Sequence, residues 1–195
     1  MTTDNVNTNR RRFLVGATSV VGAAGAVGVA VPFVASWKPS ARAKAAGAPV
    51  KANLGKIEPG SMITVEWRGQ PVYIVRRTEE ALAGLKQVEA EVSDPASERP
   101  QQPDYAKNEY RSIKEEFLIV VGTCTHLGCA PKFRPEVGSI DADWVGGFFC
   151  PCHGSKFDLA GRVYSGVPAP SNLLVPPHRY DSEYVVVIGE DEETA

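Results

Sequence analysis

The chain has 195 residues, of which 43% are hydrophobic, and a formal net charge of −2. This length suits one domain with its own core plus appendages. The charge is uneven, because residues 1–52 carry seven Lys or Arg against one acid, whereas residues 53–195 carry fourteen bases against twenty-two acids. A basic leader before an acidic body argues against a nucleic-acid partner and favours a targeting or membrane leader followed by a soluble head.

The leader starts with three arginines and then carries no charge over a long stretch. Arg10, Arg11 and Arg12 precede 25 uncharged residues, from Phe13 to Trp37, which would span about 37 Å as a helix. A cleaved secretory signal has an apolar region of only about 7–15 residues. The pattern therefore predicts a transmembrane helix over residues 13–37, although the small residues after Trp37 leave cleavage open.

The arginines also carry a targeting pattern. Arg10-Arg11-x-Phe13-Leu14 resembles the twin-arginine export signal of bacteria, which delivers folded proteins across the membrane. The resemblance implies that a cofactor is inserted in the cytoplasm before export. The positive-inside rule keeps residues 1–12 in the cytoplasm, so we expect a single-pass protein of the bacterial inner membrane with a periplasmic head.

A linker separates this span from the head. Residues 38–52 are rich in Ala, Gly and Pro and contain no aromatic side chain. This composition predicts a flexible linker and is compatible with a hinge. We therefore place the head at residues 53–195.

Short strands dominate the predicted head. Ile63, Val65 and Trp67 alternate with polar residues, which predicts a strand that turns at Gly69-Gln70 into the next one. Thr78 is the predicted N-cap of one helix, and a proline-rich loop follows over residues 93–104. The remaining predicted elements are strands over residues 117–122, 144–149 and 184–189 and a hairpin that turns near Gly161. Together they predict a mainly β, antiparallel head.

All four cysteines and two of the three histidines fall in two motifs, CTHLGC at residues 124–129 and CPCHGS at residues 150–155. A structural zinc site needs four ligands, so it would leave two cysteines over and would have unusual spacing in the first motif. Two disulfides would use every cysteine but leave the matched histidines unexplained. A two-iron cluster held by two cysteines and two histidines, with one disulfide beside it, uses all six groups.

Both motifs resemble those of the Rieske iron–sulfur proteins. The resemblance implies one [2Fe-2S] Rieske cluster in a cluster-binding part over about residues 122–170, with a disulfide between the two loops. The implied residues are Cys124 and Cys150 on one iron, His126 and His153 on the other, and Cys129 and Cys152 in the disulfide. Such a disulfide is typical of the quinol-oxidising branch of the family and is generally absent from the Rieske domains of ring-hydroxylating oxygenases.

Histidine ligands change what such a cluster can do. Two ferric irons, two sulfides and two thiolates sum to zero charge, so the cluster accepts an electron more readily than one with four thiolates. Reduction favours protonation of the ligating imidazoles, because a more negative cluster holds a proton better. A site that takes up an electron and a proton together suits a quinol, which must release both.

The resemblance implies further residues around the cluster. Ser155 would hydrogen-bond a cluster sulfur, and Leu127 would shield the cluster at the docking surface. Pro168, in the segment GVPAP, would belong to a proline loop that covers the other side. Phe157 stands where high-potential members of the family have a tyrosine hydroxyl. His178 lies outside both motifs and is predicted to be structural.

The leader, the linker, the helical insertion and the two motifs together resemble the iron–sulfur subunits of bacterial ubiquinol–cytochrome c reductases. The resemblance implies a dimeric respiratory complex with a cytochrome b subunit and a c-type cytochrome subunit, which contributes to proton translocation. Ubiquinol would hydrogen-bond to His153, pass one electron to the cluster and the other to a b-type haem, and the head would then swing to the c-type cytochrome. The alternatives are the small Rieske subunit of arsenite oxidase and, in another class, a membrane-anchored interaction module stabilised by zinc.

Overall fold

The structure is a computed structural model that describes residues 7–191. The first six residues of the predicted leader and residues 192–195 of the predicted head lie outside the described residues. The chain forms two compact units, one that ends at Ala45 and one that begins at Ala46.

The N-terminal unit contains one long helix, α1 (Thr8–Ser36). Its N-cap is Asn7, whose side chain accepts a hydrogen bond from the backbone N–H of Arg10 at 3.1 Å. None of its residues is buried, and its 29 residues extend over about 43 Å. Within residues 7–191, α1 is the one helix long and apolar enough to cross a membrane, judged by length and composition. A short helix, α2 (Ala41–Ala46), follows in the predicted linker.

Antiparallel sheets build the C-terminal unit, in agreement with the predicted fold class. The described residues form three sheets of three strands each. In the order of each sheet, the strands are β1 (Val50–Asn53), β9 (Val185–Ile188) and β8 (His178–Ser182); β2 (Met62–Trp67), β3 (Gln70–Arg76) and β4 (Phe117–Val121); and β5 (Lys132–Arg134), β6 (Gly147–Phe149) and β7 (Lys156–Asp158). One further helix, α3 (Glu79–Gln87), lies between β3 and β4 in sequence.

Strand β4 is buried on both faces because it lies between two apolar clusters. Side chains alternate along a strand, so its even-numbered residues enter the cluster that contains Cys124 and Cys150. Its odd-numbered residues enter a second cluster, which includes residues of β1, β2 and β9. The uninterrupted apolar run FLIVV is therefore a strand with two buried faces, and it leads to Cys124 three residues later.

A buried arginine, Arg111, attaches the insertion between β3 and β4 (residues 78–116) to the rest of the unit. The guanidinium of Arg111 is fully buried and donates to three backbone carbonyls outside the insertion, those of Ala160, Gly161 and Leu173. Burial lowers the pKa of Arg111 to about 10, while the carboxylate of Asp158 acts in the opposite direction. The side chain therefore remains charged at neutral pH and fixes the insertion electrostatically.

The observed elements follow the prediction, with differences in extent. Thr78 caps α3 by accepting a hydrogen bond from the N–H of Ala81 at 3.2 Å. The first hairpin turns at Arg68 and Gly69, both with positive φ, one residue earlier than expected. Residues 50–52, which the composition assigns to the linker, belong to β1, where they pair with β9.

The strand predicted over residues 144–149 is shorter than expected. Only β6, from Gly147, pairs with its neighbours. Gly146 adopts a φ of 100°, which takes the preceding residues out of the sheet. Trp144 instead packs in a small separate cluster, where its ring stacks on that of Tyr164 at 6.0 Å between centroids.

We expect Gly122→Ala to destabilise the head. A Cβ at this position would overlap the ring of Tyr73, and that ring is held by a hydrogen bond of 3.1 Å from its hydroxyl to the carbonyl of Pro131. Overpacking of this kind costs about 1–3 kcal/mol, so the thermal unfolding midpoint of the full chain should fall by a few degrees. Gly55→Ala is the matched control, since its Cβ would make ordinary contacts; an equal fall in both variants would contradict the prediction.

Candidate metal centre

The two cysteine motifs fold into loops with the same closure. In the first, the N–H of Cys124 donates to the carbonyl of Cys129 at 2.7 Å, and the N–H of Gly128 donates to the carbonyl of Cys124 at 3.0 Å. In the second, over residues 150–155, the N–H of Cys150 donates to the carbonyl of Ser155 at 2.8 Å. The N–H of Gly154 donates to the carbonyl of Cys150 at 2.9 Å. Gly128 and Gly154, the fifth residues, have φ values of 82° and 76°, which explains why both motifs require glycine there.

Two free thiols lie inside this pair of loops. Cys124 and Cys150 are buried, and their sulfurs are in hydrogen-bond contact. The sulfur of Cys124 also accepts hydrogen bonds from the backbone N–H of His126 and the hydroxyl of Ser155. Burial raises the pKa of the Cys124 thiol, and these two hydrogen bonds act in the opposite direction. The loops therefore supply donors to a sulfur that a metal would bind as thiolate.

The two imidazoles of the motifs face each other. The rings of His126 and His153 are 4.7 Å apart between centroids and nearly perpendicular, at 85°. His153 is exposed, whereas His126 is partly buried, and its Nδ1 is enclosed without a hydrogen-bond partner among the described residues. An enclosed nitrogen without a partner is costly unless something binds it, so this atom points to a missing ligand.

A disulfide between Cys129 and Cys152 joins the loops, and it is the pair that the resemblance implies. The sulfur of Cys150 lies within 4.8 Å of both disulfide sulfurs. Because sulfurs that are bonded to each other cannot act as thiolate ligands, Cys150 is the metal-binding candidate in this group of three. The alternative with two disulfides does not occur, since Cys124 and Cys150 are free.

A loop over residues 166–172 is hydrogen-bonded to both cysteine loops. The hydroxyl of Thr125 donates to the carbonyl of Ser171 at 2.6 Å. The N–H of Ala169 donates to the hydroxyl oxygen of Ser155 at 3.0 Å, and Ser155 is fully buried. The segment therefore closes one side of the space around the two motifs.

The other residues that the sequence singles out lie in different surroundings. Leu127 is 70% exposed, at the outer end of the first loop, and Pro168 is exposed on the 166–172 loop. Phe157 is fully buried in the apolar cluster that contains the two free thiols. His178 is buried outside this site, with its Nδ1 at 2.8 Å from the carbonyl oxygen of Pro176, in agreement with a structural role.

Sequence reasoning missed the residues that hold the site together. Glycine in the fifth position of both motifs was a signal that could have revealed their common closure. Thr125 and Ala169 carry no such signal. The partner of Thr125 lies 46 residues further along the chain, and the partner of Ala169 is a serine on another loop, so both hydrogen bonds depend on the folded arrangement.

The donor set fits a two-iron cluster, with two thiols in contact and two facing imidazoles. The same four side chains could also hold one zinc ion, so the comparison with known families decides between them. Residues 49–178 match the family described as Rieske [2Fe-2S] domain. Residues 1–40 match the family described as Ubiquitinol-cytochrome C reductase Fe-S subunit TAT signal. The family match therefore defines a Rieske protein with one [2Fe-2S] cluster and not a zinc module. The apolar helix α1 and the match to the TAT-signal family fit a membrane-anchored subunit.

Relatives identify the branch. The ubiquinol-cytochrome c reductase iron-sulfur subunit of Allochromatium vinosum is 57% identical over 100% of this chain and 95% of the relative. That of Blastochloris viridis is 41% identical over 95% of this chain and 96% of the relative. A chain of a solved hyperthermophilic respiratory Complex III is 26% identical, with a TM-score of 0.49 over 89% of this chain and 98% of that one. The chain belongs to the family of iron–sulfur subunits of ubiquinol–cytochrome c reductase, which does not favour the arsenite oxidase alternative.

We expect the double substitution Cys129→Ser and Cys152→Ser to weaken the site without removing a free thiol. The disulfide spans a sequence separation of 23 residues, and a constraint of that size is worth about 3 kcal/mol. The variant should unfold at a lower temperature and lose iron to a chelator faster than the wild type. Wild-type protein treated with a thiol reductant should behave like the variant; equal stability of all three samples would contradict the prediction.

Proposed function

We propose that Cys124 and Cys150 hold one iron of the cluster and that His126 and His153 hold the other. The convergence of two buried free thiols and two facing imidazoles on loops of the same closure carries this assignment. The enclosed Nδ1 of His126 supports it, since a metal would use a lone pair that has no partner among the described residues.

We assign the oxidation of ubiquinol to this site. When bound, the cluster takes up one electron at a time and releases it to a further carrier. His153 is the exposed imidazole, so it can accept a hydrogen bond from the quinol hydroxyl and hold its proton on the ring nitrogen that faces outward. Leu127, which is 70% exposed on the neighbouring loop, offers an apolar contact for the quinone ring and excludes water there.

We assign the chain to a dimeric membrane complex with a cytochrome b subunit and a c-type cytochrome subunit. Membership of the family of ubiquinol–cytochrome c reductase subunits supports this assignment. Helix α1 would cross the inner membrane with Arg10, Arg11 and Arg12 in the cytoplasm and the head in the periplasm. Residues 38–49 would be the tether on which the head moves from ubiquinol to the c-type cytochrome, a step that contributes to proton translocation. The boundary between the two compact units falls inside this tether, which supports its proposed role.

We expect the reduced protein to give the electron paramagnetic resonance signal of a Rieske cluster and to co-purify with b- and c-type haems. His126→Gln and His153→Gln each remove one proposed nitrogen ligand, so each should abolish that signal. Iron and sulfide analysis of the same samples measures how much cluster remains.

The third histidine is the matched control for this experiment. His178 is equally an imidazole, but it is buried against the carbonyl of Pro176 and lies outside both motifs. His178→Gln should retain the signal. A normal signal from His126→Gln or His153→Gln would refute the ligand assignment, and a molybdenum subunit in place of the haems would refute the assigned complex.

We expect Phe157→Tyr to raise the midpoint potential of the cluster. Phe157 is fully buried in the apolar cluster of the free thiols, and a hydroxyl there can donate to a cysteine sulfur. One such hydrogen bond contributes about 0.5–1.5 kcal/mol, which corresponds to about 20–65 mV for one electron. Donation stabilises the reduced form with its extra negative charge, so the shift is upward in a redox titration.

Phe148→Tyr is the matched control. Phe148 is fully buried and lies opposite Phe157 in the sheet, but its ring stacks on Tyr73 at 5.7 Å between centroids. A hydroxyl there adds the same atom without a cysteine sulfur as the expected partner, so the potential should stay close to that of the wild type. An unchanged potential in Phe157→Tyr, or an equal rise in both variants, would contradict the explanation.

A further inference from the structure

The orientation of the Ser155 hydroxyl depends on a single backbone group. Its oxygen accepts the N–H of Ala169 at 3.0 Å, and its hydrogen is therefore left for the sulfur of Cys124. Pro168 and Pro170 flank Ala169 and have no N–H. The position of Ala169 thus decides whether the Ser155 hydroxyl can donate a hydrogen bond to the sulfur of Cys124.

One buried amide helps to fix the end of the 166–172 loop. Asn172 is fully buried, and its side-chain oxygen accepts the N–H of Val163 at 2.9 Å. Its side-chain nitrogen donates to the backbone carbonyl of Asp94 at 3.2 Å. One side chain therefore ties the loop both to Val163, in the segment that follows β7, and to the insertion.

The insertion has a second contact with the same loop, made by Arg99 from a turn that Asp94 closes. Its buried carboxylate accepts the N–H of Glu98 at 2.9 Å and that of Arg99 at 3.2 Å, which closes a tight turn. The guanidinium of Arg99 donates to the carbonyl of Pro170. Asn172 and Arg99 thus hold the loop on either side of Ser171, and both contacts lead back to Asp94.

We propose that the insertion positions the Ser155 hydroxyl toward the Cys124 sulfur, with Asn172 as the positioning residue that transmits its support through the 166–172 loop. The contacts run from Asp94 to Asn172, along the loop to Ala169, and from there to Ser155 on the second cysteine loop. The proposal rests on the proposed function, because Cys124 is taken as an iron ligand. It gives residues 78–116 a role in setting the redox properties of a site that they do not line.

The test compares Asn172→Ala with the wild type in the full-length protein. Without the amide the loop loses its link to Val163 and one of its two links to the insertion. The loop should loosen, so Ser155 should lose its fixed orientation and the reduced cluster should lose a hydrogen bond. We expect a lower midpoint potential, an altered electron paramagnetic resonance signal and faster hydrogen exchange at the N–H of Ala169. The exchange measurement does not depend on the cluster and can be made on the metal-free chain.

Asn108→Ala is the matched control. Asn108 lies in the insertion itself. Its side chain makes hydrogen bonds with Tyr105, Tyr110 and Ser112, all of them within the insertion. Its loss should lower stability but leave the potential and the exchange at Ala169 unchanged. Equal changes in both variants would overturn the proposal, because they would reflect a general loss of stability.

The variant Asp94→Ala distinguishes the positioning of Ser155 from a direct effect of the Asp94 charge on the midpoint potential. Removal of a nearby negative charge by itself raises a midpoint potential, whereas loosening of the loop lowers it. We expect the potential to fall; a rise, or an unchanged potential in Asn172→Ala, would overturn the proposal. Loss of the cluster from both variants would also overturn it, since the contacts would then be needed for folding. A wild-type protein without a Rieske signal would instead refute the proposed function.

Discussion

The structure depends on two thiols that must stay buried and close together at the starts of two separate loops. Cys124 and Cys150 are withdrawn from water, where a sulfur that becomes charged needs nearby donors and a metal to be stable. Neither loop contains regular structure that could hold such a position by itself. The repeated closure by the fifth-position glycine, the disulfide and the hydroxyl of Ser155 are therefore the means by which two irregular segments keep a fixed separation.

The sheet that carries the second loop is too small to support it alone. Strands β5, β6 and β7 have three residues each, and a sheet of that size needs packing from outside. Strand β4 supplies this packing with one face while its other face anchors the second core. The guanidinium of Arg111 adds a polar attachment, because it binds carbonyls of Ala160, Gly161 and Leu173. The insertion thus belongs to the support of the site.

Local signals predicted the local features well. The motif spacing located both cysteine loops, FLIVV predicted a buried strand, and Thr78 marked the start of α3. Burial of a charged side chain such as Arg111 had no local signal, since it depends on carbonyls from distant segments that become acceptors only in the folded chain. The strand predicted over residues 144–149 was too long for the same reason, because the positive φ of Gly146 is compatible with the sequence but decided by tertiary packing. The ligand assignment stays a prediction.

The difference between the two motifs explains how one site can have two unlike imidazoles. Both loops have the same closure, but histidine is the third residue in CTHLGC and the fourth in CPCHGS. The extra step places His153 at the exposed side, while His126 stays partly buried with an enclosed Nδ1. The third position of the second loop is free for Cys152, which reaches Cys129. The one-residue difference in the position of the histidine thus accompanies the covalent link between the loops and leaves one imidazole exposed.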